Sequence, residues 1–307
     1  MSRQLPLQRH ILPPVRVALG AALISFAPGL VRTALDGGLG PSAVGAWRTG
    51  IASVVLFGLL WFRGAPIRPS GEALTGVVAA GLAFGIDLSV WHRSIAYAGT
   101  GMATILGNTQ VFWSALVGVL FLKESLSPRF IGATVAAFVG VVLLAGLGSQ
   151  VEFTPRYLLG IAFGLCTGVA YACYLLGLRK AERAKTNDTS ALTASIRNLA
   201  WGCLFACVVL GSVAVAAGEP LVPTTVKAGV GVTILAIVPQ VLGWLLIAGG
   251  LGRLTAARAG LLLLLQPALA ALWGSLVFGE ALQLLQVAGA ALVLGAVYVG
   301  AQSRKIS

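Results

Sequence analysis

Charged residues are scarce in this chain of 307 residues, since only 10% of them are Asp, Glu, Lys or Arg. A soluble domain of this length carries a larger share of charge on its surface, so the composition excludes an ordinary soluble protein. Hydrophobic residues make up 58% of the chain, and runs of about 20 mostly apolar residues match the hydrocarbon core of a bilayer. The sequence therefore predicts an all-α integral membrane protein, because helices satisfy their own backbone groups in lipid.

Motifs for catalysis, metal binding and nucleotide binding are also missing. The two histidines, His10 and His92, belong to no HExxH motif, and no GxxxxGK[ST] loop occurs. The four cysteines lie inside apolar runs without metal-type spacing, which is typical of small packing residues. We therefore expect neither an enzyme nor a cofactor, and a pump driven by ATP is excluded.

The net charge of +12 does not indicate a nucleic-acid partner. Most Lys and Arg residues lie in short gaps between apolar runs rather than on one basic face. Membrane proteins concentrate such residues in their cytoplasmic loops, according to the positive-inside rule. The basic residues are therefore predicted to set the orientation of the chain in a lipid bilayer.

Gly and Pro punctuate the apolar runs and divide the chain into ten predicted spans. A linker at 148–156 separates two sets of five, so residues 1–150 and 151–307 are expected to be equivalent halves. The spans of the first half are predicted at 15–35, 41–62, 72–92, 101–122 and 129–147. Those of the second half are predicted at 157–178, 190–216, 226–249, 257–278 and 284–301.

The positions of the basic residues decide the predicted orientation. With ten spans, fifteen of the 21 Lys and Arg residues fall on the side of the N-terminus and four on the opposite side. The remaining two, Arg48 and Arg197, fall inside spans. The positive-inside rule therefore predicts that both termini face the cytoplasm. Because each half then contains five spans, the second half must be inverted relative to the first.

The second half also repeats the first at a constant offset of 156 residues. The segment 105–126 aligns with 261–282, and Glu124 aligns with Glu280. Many secondary transporters use a duplicated, inverted membrane unit to form a midplane site that is reachable from either side. The sequence therefore predicts two inverted five-helix repeats around a central cavity, with a small-molecule substrate and the lipid bilayer as partners.

The stretch LGRLTAARAGLLLLLQPALAALWGSLVFGEAL leads from small residues into a long Leu run, followed by Pro267 and then Glu280. This pattern resembles the EamA-type branch of the drug/metabolite transporter superfamily. The first half repeats it more loosely, with Val111 in place of the proline, so the fourth span is expected to be straighter than the ninth. The resemblance implies a ten-helix exporter of small metabolites in the bacterial inner (plasma) membrane.

Within that branch the chain is similar to aromatic amino acid exporters. The stretch GNTQVFWSALVG at 107–118 and the seven Trp residues carry this likeness. It implies that amino acids, including aromatic ones, are exported. A multidrug substrate or another metabolite is the alternative within the same superfamily.

Polar and aromatic side chains inside the spans are candidates for the cavity wall, because polar groups are costly in lipid and mark substrate pathways. Phe84, Asp87 and Trp91 share one face of the third predicted span. Gln240 and Trp244 share one face of the eighth. The alternative is that the amides join helices by hydrogen bonds or support a kink. The candidate substrate-binding residues are Phe84, Asp87, Trp91, Asn108, Gln110, Trp113, Tyr171, Tyr174, Gln240, Trp244 and Gln266.

Four charged residues are candidates for gates. Their depths in the predicted spans allow Arg48 to pair with Glu280 at the outer face. They also allow Arg197 to pair with Glu124 at the inner face. The alternative is that the arginines extend to the membrane surface and that the carboxylates merely end their helices.

Two other classes of protein are alternatives to a transporter. A membrane-embedded enzyme would need a nucleophile with a base or a metal cluster, and the sequence offers no such set. A receptor-like bundle would not require an inverted repeat. The sequence is compatible with both a monomer and a homodimer.

Overall fold

The structure, a computed structural model, describes residues 12–144, 154–184, 190–278 and 284–302. Within these ranges the chain is helical and contains no β-strand, in agreement with the predicted fold class. The helices of the first half are α1 (Pro13–Ile24), α2 (Ala27–Asp36), α3 (Pro41–Phe62), α4 (Gly71–Asn108), α5 (Gln110–Leu120) and α6 (Pro128–Leu144). Those of the second half are α7 (Pro155–Arg183), α8 (Ala191–Ala216), α9 (Val226–Leu235), α10 (Trp244–Leu251), α11 (Ala256–Leu263), α12 (Leu265–Phe278) and α13 (Leu284–Gln302).

The helix starts follow from local sequence. Pro occupies the first turn of α1, α2, α3 and α7, where its missing N–H costs nothing. At five helix starts, including that of α7, a hydroxyl side chain accepts a hydrogen bond from the backbone N–H three residues later, which stabilises a helix by about 1 kcal/mol. These capping residues are Ser70, Thr154, Ser190, Thr225 and Thr255.

Six helical stretches are long and apolar enough to cross a membrane, judged by length and composition. They are Pro13–Asp36, Pro41–Phe62, Gly71–Leu120, Pro155–Arg183, Ala191–Ala216 and Val226–Leu251. Shorter apolar helices cover Pro128–Leu143, Ala256–Ala270 and Leu284–Gly300. The chain is therefore a multi-pass membrane protein.

The stretch Gly71–Leu120 is a helical hairpin rather than one span. Its 50 residues would extend roughly 75 Å as a straight helix, far more than the hydrocarbon core requires. At Gly99 the backbone adopts φ 85° and ψ 163°, which interrupts the helix. Beyond this turn Gly107 returns to lie against Trp91. Residues 71–98 form the first arm of the hairpin and residues 100–120 the second, at the positions of the third and fourth predicted spans.

Replacing Gly99 with Ala is expected to destabilise the protein by roughly 1–3 kcal/mol, because this backbone region is accessible to little besides glycine. Nothing lies within 4 Å of the position that a Cβ would occupy, so the effect would come from the backbone alone. The measurement is thermal unfolding of the purified protein in detergent.

Gly58→Ala is the matched control, since Gly58 also has open space around it but lies inside α3 with no positive φ. An unfolding temperature that falls equally in both variants would contradict the assignment of Gly99 to a strained turn.

Two helix breaks occupy equivalent places in the halves. The ninth predicted span is interrupted at Leu264, between α11 and α12, and Pro267 follows in the first turn of α12. The fourth predicted span is interrupted at Thr109, between α4 and α5, although no proline follows. There the Thr109 hydroxyl donates to the Leu106 carbonyl at 2.6 Å. The lack of a proline at Val111 therefore does not leave the fourth span uninterrupted, since a side-chain hydrogen bond accompanies its break. That this span is straighter than the ninth stays a prediction.

Equivalent helices of the two halves pack against each other in antiparallel fashion. In α3 and α8, Gly45 contacts Leu210, and eight residues further along α3 the Ser53 hydroxyl donates to the Ala200 carbonyl at 3.1 Å. In α6 and α13, Ala133 lies beside Gly300 whereas Gly140 lies beside Val293. Residue numbers rise in one helix as they fall in the other, so the members of each pair run in opposite directions.

The first arm of the hairpin packs along α7, also in antiparallel fashion. Ala98 lies against Gly160 near one end of the pair, and Ala80 lies against Gly177 near the other. A Cβ at Gly177 would approach the Ala80 backbone nitrogen to 2.7 Å, so glycine is required for this close contact. This packing fixes the first arm, which carries several of the predicted cavity residues, against the second half.

Candidate substrate cavity

A cavity of about 70 Å³ lies where helices of both halves converge. The wall is formed by residues at the break between α1 and α2 and by residues of α3, both arms of the hairpin, α7, α10 and α12. The lining residues are Ile24, Ser25, Ala27, Pro28, Arg48, Phe84, Asp87, Leu88, Trp91, Thr104, Gly107, Asn108, Thr167, Tyr171, Trp244, Gln266, Pro267 and Ala270.

Seven of the residues predicted to bind substrate line this cavity. Three of them share one face of the first arm, and the second arm, α7, α10 and α12 contribute one each. Gln266 donates to the Tyr171 hydroxyl at 3.1 Å and Asn108 donates to the Thr104 carbonyl at 2.7 Å, so both amides are held in place. The seven are Phe84, Asp87, Trp91, Asn108, Tyr171, Trp244 and Gln266.

The aromatic rings of the wall pack against one another and against Tyr174. The Phe84 ring stacks on the Tyr174 ring with centroids 4.2 Å apart. The Trp244 ring meets Tyr174 edge-on at 4.6 Å and Tyr171 at 6.2 Å. Stacked and edge-on rings lose little freedom when a flat ligand binds, and they offer a large apolar contact area. Tyr174 does not line the cavity itself, although it fixes the rings that do.

Arg48 enters the cavity wall although the sequence suggested a gate near the membrane surface. Arg48 is 2% exposed, and its Nε donates a hydrogen bond to Gln240 Oε1 at 2.7 Å. The guanidinium also lies 5.8 Å from the centre of the Phe84 ring. Gln240, buried behind the wall, donates in turn to Cys203 Sγ at 3.4 Å. Gln240 therefore orients an arginine of the wall and does not line the cavity.

Two further predicted residues lie elsewhere. Gln110 is buried where α5 meets α11, and it donates to the Gly260 carbonyl at 3.1 Å. It also accepts from the Ser114 hydroxyl at 3.2 Å, so its amide joins helices at the break. Trp113 is 41% exposed and does not line the cavity. Gln110 therefore joins helices, which is the alternative that the sequence left open for the amides, and Trp113 lies outside the cavity wall.

The predicted gates are paired differently in the structure. Glu124 binds Arg179 at 2.7 Å, and Arg197 donates to the Pro66 carbonyl at 3.4 Å. The predicted Arg197–Glu124 pair is therefore replaced by an Arg179–Glu124 pair. Glu280, the predicted partner of Arg48, lies outside the described residues.

At one end of the bundle, Glu219 is held between an arginine and a helix start, an arrangement we name the Glu219 clamp. Its Oε1 accepts from Arg93 Nη2 at 2.5 Å. Its Oε2 accepts from the backbone nitrogens of Ser42 at 2.6 Å and Ala43 at 3.2 Å, in the first turn of α3. A carboxylate at a helix N-terminus is stabilised by the free N–H groups and the helix dipole. The clamp ties the segment after α8 to α3 and α4 of the first half.

At the other end, Glu124 occupies the corresponding arrangement, which we name the Glu124 clamp. Besides Arg179, its carboxylate accepts from the backbone nitrogen of Ala256 at 3.1 Å, in the first turn of α11. Arg179 is anchored by its Nε, which donates to the Leu254 carbonyl at 2.9 Å. This clamp ties the segment after α5 to α7 and α11 of the second half.

The two clamps lie on opposite sides of the cavity. Because the first arm and α7 are antiparallel, Arg179 is level with the beginning of the first arm, whereas Arg93 lies near its end. At 1.5 Å per residue the separation along the helix axis is roughly 20 Å. Phe84, Asp87 and Trp91 lie between these levels. Sequence reasoning missed both clamps, because it assigned Arg93 and Arg179 to loops.

Comparison with known proteins gives consistent results. The model of the EamA-like transporter family matches residues 15–146 and 158–300. An uncharacterized transporter of Archaeoglobus fulgidus is 27% identical over 277 residues, which cover 87% of this chain and 90% of that protein. A solved crystal structure shares the fold with a TM-score of 0.77 at 19% identity, covering 94% of this chain and 98% of the other.

Proposed function

The chain belongs to the EamA-like transporter family, and on that premise we propose that it exports small metabolites by alternating access to the central cavity. Amino acids, including aromatic ones, are the proposed substrates. The observation that carries the proposal is one cavity, built by both halves, between two clamps that each join one half to the other. Family membership also favours transport over catalysis.

The proposed architecture is ten transmembrane helices in two inverted halves, residues 1–150 and 151–307. It is supported by the antiparallel packing of α3 with α8 and of α6 with α13, since equivalent helices of inverted repeats run in opposite directions. The turn at Gly99 supports two crossings within the stretch Gly71–Leu120. The shorter apolar helices would supply the remaining crossings.

The proposed location is the bacterial inner (plasma) membrane with both termini in the cytoplasm. The excess of Lys and Arg on the side of the N-terminus supports this orientation. It places the Glu124 clamp on the cytoplasmic side and the Glu219 clamp on the outer side. Opening of one clamp at a time would expose the cavity to one side of the membrane.

Reporter fusions test the orientation. A reporter enzyme that is active only outside the cytoplasm is expected to be inactive when fused after Ser307 and active when fused after Gln150, because five spans would separate these two sites. Activity of both fusions should be compared with that of a cytoplasmic reporter at the same sites. A fusion after Ser307 that is active outside the cytoplasm would contradict the orientation and the inversion of the halves.

Counterflow in liposomes tests the substrate. Liposomes that contain the protein and unlabelled phenylalanine are expected to accumulate external radiolabelled phenylalanine transiently. Trp91→Ala is expected to slow this exchange by roughly tenfold, because it removes ring area from the cavity wall.

Trp113→Ala is the matched control, since it removes the same side chain from a position that does not line the cavity. Exchange of a drug or another metabolite, with no exchange of any amino acid, would replace the proposed substrate by the alternative. If both Trp substitutions slowed exchange equally, the result would contradict a specific role of the cavity wall in transport.

A further inference from the structure

The cavity contains one cationic and one anionic side chain. Among its lining residues only Arg48 and Asp87 are charged. They do not neutralise each other directly, since the ion pairs within 4.0 Å found among the described residues do not include these two. Arg48 and Asp87 thus line one cavity without a direct ion pair between them.

Each charge presents an atom that has no hydrogen-bond partner in the protein. Arg48 Nη1 and Asp87 Oδ1 are both buried and unpaired, in residues that are 2% and 5% exposed. Trp244 Nε1, on the same wall, is a third unpaired donor. Buried polar atoms are paired in the great majority of cases, and leaving one unpaired is costly. Three such atoms around one cavity indicate groups that are satisfied by a ligand.

A hydrogen bond within the protein orients Arg48 for binding a ligand. Gln240 accepts from Arg48 Nε and so occupies one edge of the guanidinium, while the unpaired Nη1 is left for another acceptor. A guanidinium fixed in this way matches the planar geometry of a carboxylate. Trp244, whose ring packs against Tyr174, adds a second donor, the uncharged indole N–H.

We propose that Arg48, Trp244 and Asp87 form a recognition site for a zwitterion. Arg48 and the Trp244 indole N–H receive the anionic group, and the Asp87 carboxylate receives the cationic group. The inference rests on the proposed function and specifies how its substrate is recognised.

Charge balance distinguishes a zwitterion from other ligands. A simple anion in the cavity would face Asp87, and a simple cation would face Arg48, at close range and away from bulk water. A neutral ligand would leave both side chains without a hydrogen-bonded partner of opposite charge. Only a ligand with one charge of each sign satisfies both side chains. The apolar body of such a ligand would contact the Trp91 and Tyr171 rings of the same wall.

The test compares zwitterions with analogues that lack one charge. Binding to the purified protein is followed by its tryptophan fluorescence, using phenylalanine, phenethylamine and 3-phenylpropionate, and then alanine, ethylamine and propionate. The parent protein is expected to bind at least one zwitterion about tenfold more tightly than either of its analogues. If neither zwitterion binds more tightly than its analogues, the inference is overturned.

Two substitutions are expected to shift the preference in opposite directions. Asp87→Asn should weaken binding of the zwitterion by about tenfold or more and raise the relative affinity for the acid analogue. Arg48→Gln should weaken the zwitterion similarly and raise the relative affinity for the amine analogue. A purely structural role of the two residues would not produce opposite shifts in the preference for the acid and amine analogues. An unchanged charge preference in both variants would overturn the inference.

The matched controls are Asp36→Asn and Arg32→Gln, the same changes of charge in a surface ion pair of α2 whose side chains are more than half exposed. They are expected to leave all affinities unchanged. If Arg48→Gln does not fold, Trp244→Phe tests the same half of the site, because it removes the indole donor and keeps a ring. It should weaken the zwitterion and the acid analogue but not the amine, and equal weakening of all three would overturn the inference.

Transport measured on the same proteins separates this inference from the proposed function. Binding that depends on Arg48 and Asp87, without counterflow in liposomes, would support the recognition site and contradict the exporter. Counterflow of phenylalanine that neither Asp87→Asn nor Arg48→Gln alters would leave the exporter intact and overturn the recognition site.

Discussion

Glu124→Gln is expected to open the end of the cavity that the proposed orientation places in the cytoplasm. The substitution leaves the Arg179 side chain, which is 5% exposed, without its counter-charge. Such a loss costs about 3 kcal/mol in the closed state, which corresponds to roughly a hundredfold shift between two states. The measurement is labelling of a Thr104→Cys reporter on the cavity wall by an impermeant maleimide added to inverted vesicles, in a background without the native cysteines. Labelling from this side should rise by about tenfold or more.

The second clamp provides the reciprocal experiment. Glu219→Gln should raise labelling from the outer side, because the same loss of a counter-charge then occurs at Arg93. Asp36→Asn, in the exposed pair with Arg32, is the control and should change neither rate. If Glu124→Gln and Glu219→Gln change labelling equally from both sides, the clamps stabilise the fold and do not select which end is open.

The extent of the helices was predictable wherever composition changes sharply at their ends. The second span, predicted at 41–62, is the helix Pro41–Phe62, because proline begins it and a glycine turn at Gly64 follows it. The hairpin was less predictable, since the helix continues past Arg93 to the turn at Gly99. When only neighbouring residues are considered, a charged residue predicts that the span has ended and that the chain has reached water. Here the charge is met by Glu219, which is 126 residues away and invisible to such a reading.

The cavity residues were predictable to the extent that one helix face determines them. Phe84, Asp87 and Trp91 share a face by spacing alone, and they line the cavity together. The hydrogen-bond partner of Arg48 was not predictable, because the depth of a residue in a span gives no information about its partner. The partner, Gln240, belongs to the other half of the chain. Glu124 likewise could pair with several arginines at the same end, and only the packing of α7 selects Arg179.

Gln240→Leu is expected to destabilise the protein by roughly 2–3 kcal/mol, because a buried guanidinium then loses the acceptor of its Nε. Arg48 is almost completely shielded, so water cannot replace the lost amide without a rearrangement of the wall. Thermal unfolding in detergent measures the effect. Gln266→Leu is the control, since that amide bonds to the Tyr171 hydroxyl and to no charged group. It should cost about 1 kcal/mol or less.

Combining Gln240→Leu with Arg48→Met separates stability from recognition. The double variant carries no cation at position 48, and an apolar replacement of a buried polar pair is often neutral or stabilising. Its unfolding temperature is therefore expected to return close to that of the parent. Zwitterion binding should remain lost, because the group that receives the carboxylate is gone. If the double variant is as unstable as Gln240→Leu alone, the buried amide supports the helices directly. If it is stable and still binds phenylalanine like the parent, Arg48 is not the group that selects the substrate.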